Sequence, residues 1–142
     1  MPRTESHGEG SLTMAGEDYI ESIFRLMEEG RVNDENAVRS VDVADDLGVS
    51  KASVSKALTY LKESGMVEQA RYGRVKLTPA GADYARDVWR RHRALRKFLM
   101  IELGVEPETA DEEACLMEHD LSADTMNRLY AYLEAHGVTV EV

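Results

Sequence analysis

Apolar positions recur at helical spacing along most of the chain. Tyr19, Ile20, Ile23, Phe24, Leu26 and Met27 form a stripe that predicts a helix over 16–29, ended by Gly30. A polar loop at 33–36 follows. Val43, Ala44 and Leu47 predict a short helix over 41–47, stopped by Gly48. Val54, Ala57, Leu58 and Leu61 predict a second helix, capped by Ser50 and closed by Ser64-Gly65. Met66 and Val67, then Val75 and Leu77, flank Tyr72-Gly73, which reads as a β-hairpin whose glycine takes a positive φ. Thr78 as cap and Pro79 as first helical residue start a long helix. It runs through Tyr84, Val88, Trp89, Leu95, Phe98 and Leu99 to about residue 102, and Gly104 ends it. Helices over 108–121 and 122–136 complete the pattern. Residues 1–13 have no periodicity and read as a flexible tail.

Two short helices broken at a glycine, a hairpin and a long helix follow one another in the order of a winged helix-turn-helix. The expected fold is therefore mainly α. An N-terminal winged helix-turn-helix with a two-stranded wing covers 14–78. A long linker helix and a C-terminal helical domain cover 79–142.

Composition narrows the functional classes. At 142 residues the chain has room for one compact domain or two small ones. It is 43% hydrophobic and 31% charged, which suits a globular protein and not a disordered one. No apolar run nears the ~20 residues of a membrane span, and the N-terminus shows no apolar secretory segment. The single cysteine, Cys115, excludes an intramolecular disulfide framework. A cytoplasmic location without membrane association is the expectation.

The net charge of −10 hides a polarised distribution. Residues 49–97 hold twelve Lys/Arg against four acids, a local +8, while the rest of the chain carries −18. Screening over about 10 Å lets a phosphate backbone respond to the local field and not to the total. The second short helix presents Ser50, Lys51, Ala52, Ser53, Ser55, Lys56 and Thr59 on its N-terminal and outer side. Small polar side chains and Ala let a helix sink into the major groove, and the lysines reach phosphates. The hairpin adds Arg71, Tyr72, Arg74 and Lys76, suited to a flanking backbone or minor groove. Each residue alone is an ordinary solvated side chain. Corner, cap, small polar face and basic hairpin together point to double-stranded operator DNA.

A second constellation lies mostly outside the basic middle. Cys115, Glu118 and His119 stand at i, i+3 and i+4 and share one helix face. Asp18 and Glu21 stand at i, i+3 on the first helix, and His92 lies among the arginines of the long helix. Singly, these are commonly a core cysteine, surface acids and a surface histidine.

The run Glu112-Glu113-Ala114-Cys115-Leu116-Met117-Glu118-His119 resembles the diphtheria toxin repressor/MntR family of metal-dependent transcriptional regulators. So do Glu17-Asp18-Tyr19-Ile20-Glu21 in the first helix and Arg90-Arg91-His92-Arg93-Ala94-Leu95 in the long one. The resemblance extends from about residue 14 to 136. It implies a metal site of Asp18, Glu21, His92, Cys115, Glu118 and His119, holding Mn(II) or Fe(II), one or two ions per subunit. It implies a C-terminal metal-binding and dimerisation domain, a homodimer on DNA, and repression of metal-uptake genes. The chain departs from the family's iron branch at Arg96, where that branch has a metal-binding Glu, and at Asp111, where it has a His. Its loop at 33–38 is longer than is typical of the family, and the expectation is a two-domain form without the third, barrel domain of some members. The carboxylates favour Mn(II) and Fe(II), whereas the Cys115 thiolate tilts towards Fe(II), Co(II) or Zn(II).

In this reading an ion relieves repulsion among the carboxylates, about 4 kcal/mol per pair at ~4 Å and an effective dielectric of ~20. It thereby fixes the separation of two recognition helices at one turn of DNA, ~34 Å. Phe98, Leu99, Ile101, Leu103, Val105, Leu116, Met117, Leu121, Met126, Leu129, Tyr130 and Leu133 supply the apolar surface for pairing. The main alternative keeps the winged helix and senses an oxidant or a small ligand through the C-terminal domain without a metal. A metal hydrolase is a weaker alternative: no HExxH or phosphate-loop pattern is present, and it leaves the basic middle unexplained.

Overall fold

The corner between the two short helices follows from two residues. In the computed structural model, which describes residues 14–140, Gly48 ends α2 (Ser40–Leu47) at φ 66°, where only glycine enters without penalty. Two residues later the Ser50 side chain accepts a hydrogen bond from the Ser53 amide and starts α3 (Lys51–Glu63). The helix that precedes them, α1, spans Met14–Glu28. The expected tail over 1–13 lies outside the described residues.

The chain divides into two compact units, residues 12–85 and 86–142, with the boundary inside α4 (Pro79–Lys97). In the first unit Ile20, Ile23 and Leu26 of α1 are fully buried. They join Val43 of α2, Val54 and Leu61 of α3, and Val67, Val75 and Leu77 of the hairpin. Burying each such side chain stabilises the fold by about 1.5–3 kcal/mol. Polar ties add orientation: Ser22 donates to Asp46 at 2.7 Å, and Arg25 pairs with the same carboxylate.

The wing is the expected antiparallel hairpin, β1 (Val67–Gln69) with β2 (Val75–Leu77), in the register Val67↔Leu77 and Gln69↔Val75. Its turn is tighter than a glycine alone explains. Both Tyr72 (φ 60°) and Gly73 (φ 71°) are left-handed, so the tyrosine carries a strain of ~1 kcal/mol. The wing also has a third edge. Val38, at the end of the polar loop, exchanges both backbone hydrogen bonds with Val75, at 2.8 and 3.0 Å.

Two expectations need adjustment in the second unit. The long helix does not run uniformly to residue 102: Phe98–Glu102 form a widened π turn. The Val105 amide closes it by donating to Leu99 O, with Gly104 left-handed between them. The next helix, α5, spans Pro107–Met117 and stops short of the expected residue 121. The Asp120 amide turns back to Met117 O, and Ser122 caps α6 (Ala123–Ala135) by accepting from the Thr125 amide. Glu118 is thus the cap of α5, and His119 lies beyond the helix. The core of this unit is Ala94, Leu95, Ala114, Met126 and Leu133, with Phe98, Leu121, Leu129 and Tyr130 packed against it. Of the apolar residues expected to mediate pairing, Leu99, Met126 and Leu133 are internal, whereas Ile101, Leu103 and Leu116 are 58–67% exposed.

Packing and charge in the first unit can each be tested. Gly81, in the first turn of α4, lies so close to the turn that enters β1 that an added Cβ would stand 1.9 Å from Met66 O. Gly81→Ala therefore destabilises by about 1–3 kcal/mol despite alanine's higher helix propensity, read as a lower urea midpoint; an unchanged or raised midpoint contradicts this packing. Asp42 is buried, accepts a two-pronged contact from Arg39 and pairs with Arg31 at 3.0 Å. The hydrogen bond from Arg39, with the charges of both arginines, holds its carboxyl below the usual range in spite of burial. A depressed folded value means that this stabilisation is full above the unfolded carboxyl's ~4 and is lost as pH falls through the folded value. Asp42→Asn should be less stable than wild type at pH 7, and the gap should close as pH falls below the unfolded carboxyl's ~4 and through the lower folded value; a constant gap contradicts the assignment.

Candidate metal centre and nucleic-acid interface

The turn between α5 and α6 places Glu118 where water does not reach it: the residue is 0% exposed. Arg91 of α4, itself buried, fixes that turn by donating from Nη1 to Glu118 O at 2.9 Å, and its Nε lies 3.5 Å from Asp87. Glu118 Oε2 is 2.8 Å from His92 Nδ1. Oε1 is buried with no hydrogen-bond partner among the described residues, and His119 Nε2 stands 3.4 Å away. One ligand atom each from Cys115, Glu118 and His119 falls within 4.8 Å of the others. A thiol, a carboxylate and an imidazole converge, with an oxygen lone pair left over in a dry setting. A bare carboxylate oxygen in such a place is costly unless a cation meets it. The donor set is one that Fe(II), Mn(II), Zn(II) and Co(II) accept, so these residues fit a divalent ion.

His92 is 6% exposed and stacks edge-on to Trp89 at 5.6 Å. Its far nitrogen, Nε2, is 2.8 Å from Asp111 Oδ1. Asp18 and Glu21 lie one turn apart on α1, in the first unit; Asp18 is half-buried and Glu21 buried, 3.7 Å from Arg25. The structure thus brings His92, Cys115, Glu118 and His119 together and sets Asp18 and Glu21 on one side of α1. Sequence reasoning missed Arg91 and Asp111 as partners of this cluster. It also missed Glu17, which is fully buried and accepts from Tyr84 OH at 2.6 Å.

On α3, Ser50, Lys51, Ala52, Ser53, Ser55 and Lys56 are all exposed, while Val54 and Leu58 hold the opposite face in the core. The Ser50 hydroxyl is engaged in capping. The wing's cations are partly committed to the fold: Arg74 Nη1 donates to Ala37 O at 3.1 Å, Arg71 lies 3.8 Å from Glu35, and Lys76 lies 3.5 Å from Glu68. The loop over 33–38 therefore buttresses the wing. Tyr72 projects from the tip, 92% exposed.

Comparison with known proteins agrees with both halves. Residues 11–75 match the family model described as the iron dependent repressor, N-terminal DNA binding domain. Residues 78–138 match that of the iron dependent repressor, metal binding and dimerisation domain. The transcriptional regulator MntR of Salmonella typhimurium (strain LT2) is 36% identical over 125 residues, covering 88% of this chain and 76% of its own. A solved manganese-dependent transcriptional repressor complex with manganese is 33% identical, with a TM-score of 0.73 over 84% of this chain and 52% of that one. The manganese regulator SloR is 27% identical, with a TM-score of 0.73 over 89% of this chain and 59% of its own. The chain thus spans little more than half the length of those two solved chains. It belongs to the iron-dependent repressor family, the DNA-binding transcriptional regulators, MntR among them, whose action depends on a metal and which are not enzymes.

Proposed function

We propose that this chain is a transcriptional repressor of metal-uptake genes, switched on by Mn(II) or Fe(II) and acting in the cytoplasm as a homodimer on operator DNA. The observation that carries the reading is the buried Glu118 carboxylate, with Oε1 lacking a hydrogen bond among the described residues and Cys115 and His119 beside it. His92, Cys115, Glu118 and His119 hold the ion from the C-terminal unit. Asp18 and Glu21 are the carboxylates that α1 contributes. Because Ile20, Ile23 and Leu26 of the same helix are core residues of the DNA-binding unit, an ion held in part by α1 sets the position of α3. The ion supplies a doubly charged centre that offsets the carboxylates; the side chains supply selectivity and the mechanical link.

The exposed Ile101, Leu103, Leu116 and Met117 form the pairing surface. Exposed apolar groups of this size on a small helical unit favour association. No described helix is long and apolar enough to cross a membrane. Ser50, Lys51, Ala52, Ser53, Ser55 and Lys56 of α3, with Arg71, Arg74 and Lys76 of the wing, make the DNA contacts.

Two measurements test this. A gel-shift titration on an operator palindrome should show affinity falling about a hundredfold on chelation, a coupling of about 2.7 kcal/mol, and Glu118→Gln should bind DNA weakly with or without added ion. Equal affinity with ion and with chelator rejects the switch. For the reading head, Lys51→Ala and Lys56→Ala, each removing one phosphate contact per subunit, should each lower the magnitude of the homodimer's log affinity–log salt slope by about two. An unchanged slope places the phosphate contacts elsewhere.

A further inference from the structure

One guanidinium in the DNA-binding unit serves two carboxylates. Arg25, in the last turn of α1, turns Nη1 towards Glu21 Oε1, 3.7 Å away on the preceding turn. Its Nη2 pairs with Oδ2 of Asp46, on α2. The same Oδ2 accepts from the fully buried Ser22 hydroxyl at 2.7 Å. Asp46 is electrostatically misplaced on its own helix. The last turn of α2 carries Asp45 and Asp46 and no base, although the carbonyl end of a helix favours cations. Donors from α1 offset that misplacement. Asp46 stands two residues before Gly48, so a tie at Asp46 holds the corner from which α3 departs. Glu21, buried on α1, stands at the other end of the same guanidinium.

We propose that Arg25 is the positioning residue that couples the Glu21 carboxylate of α1 to the helix-turn-helix corner. The inference rests on the reading of Glu21 as one of the carboxylates that α1 gives to the ion. Without the ion, Glu21 and Asp46 divide one positive charge. A Glu21 carboxylate engaged by a divalent ion has less hold on Arg25, and the guanidinium then shifts its pairing to Asp46. The corner is thereby held more firmly to α1 when the site is filled. An arginine suits this role because its planar fork faces two carboxylates at once, which a point charge on a flexible stem does not. Arg25 also opposes the ion, as a like charge beside one of its ligands. Removing it therefore has opposite effects on ion binding and on coupling, which separates this role from packing alone.

The test is a calorimetric titration of the full chain with Mn(II), paired with fluorescence anisotropy on an operator palindrome with the ion and with chelator. Arg25→Met keeps an apolar stem and removes the charge. It should bind Mn(II) about 3–10-fold more tightly than the wild type. Its gain in DNA affinity from the ion should nevertheless fall from about a hundredfold to about tenfold. Asp46→Asn should lower the gain to a similar degree without tightening Mn(II) binding, and the double variant should lower it no further. Arg25→Lys keeps the charge but not the fork. It should bind Mn(II) as the wild type does and still lose part of the gain, so a full gain in this variant refutes the proposal even if Arg25→Met fails to fold. If Arg25 only stabilises the unit, the variants show lower urea midpoints with Mn(II) affinity and the hundredfold gain intact, which overturns the proposal. Weaker Mn(II) binding by Arg25→Met overturns it as well. A wild type that binds no Mn(II), or whose DNA affinity gains nothing from it, rejects the metal reading itself, an outcome distinct from these.

Discussion

A carboxylate removed from water has to be met by protons or positive charge, and Glu118 is such a carboxylate. The cost of leaving it bare is several kcal/mol. The surrounding chain is arranged around this demand. Arg91, buried on α4, holds the Glu118 carbonyl and so fixes the turn that follows α5. His92, the next residue on α4, meets Oε2, and His119 stands near Oε1. Two neighbouring residues of one helix thus set the backbone and the side chain of the same glutamate. What remains is an oxygen without a hydrogen bond among the described residues and a cysteine beside it, a setting that suits a cation.

The DNA-binding unit meets a different constraint, exposure of small polar groups on a rigid helix. Val54, Leu58 and Leu61 anchor α3 from behind, so Ser53, Ser55 and the lysines face outward without adjustment. The wing is made rigid by borrowing: Val38 adds a one-residue bridge on the outer side of β2 and Arg74 ties the wing to Ala37 O. The +8 segment lies on α3, the wing and α4, and most of the acids lie outside it. An overall acidic chain can therefore still present a positive face to DNA.

The helix-turn-helix corner was legible because local chemistry determines it: Gly48 must be left-handed, and Ser50 must cap. The i, i+3, i+4 spacing put Cys115, Glu118 and His119 in one neighbourhood, but it is the turn after α5, not a shared helix face, that brings His119 there. Other features depend on partners distant in sequence and leave no periodic trace. The end of α5 at Met117 is set by a turn that Arg91 holds, 27 residues away from Glu118. A one-residue bridge such as Val38 has no alternation to read. Arg71 and Arg74 read as DNA contacts by composition, but their geometry shows that they also support the wing. Asp111, an exposed acid in a run of acids, is distinguished only by the imidazole it touches. Family resemblance supplied the grouping of Asp18 and Glu21 with the C-terminal ligands; spacing alone did not.

The most direct test is a crystal of the full chain grown with Mn(II), with diffraction recorded at the manganese absorption edge. The account predicts an anomalous peak coordinated by Glu118 and His92 Nδ1, with Asp18 of α1 among the remaining ligands. A map in which the ion lies elsewhere, and Glu118 keeps only its contact to His92, would contradict it.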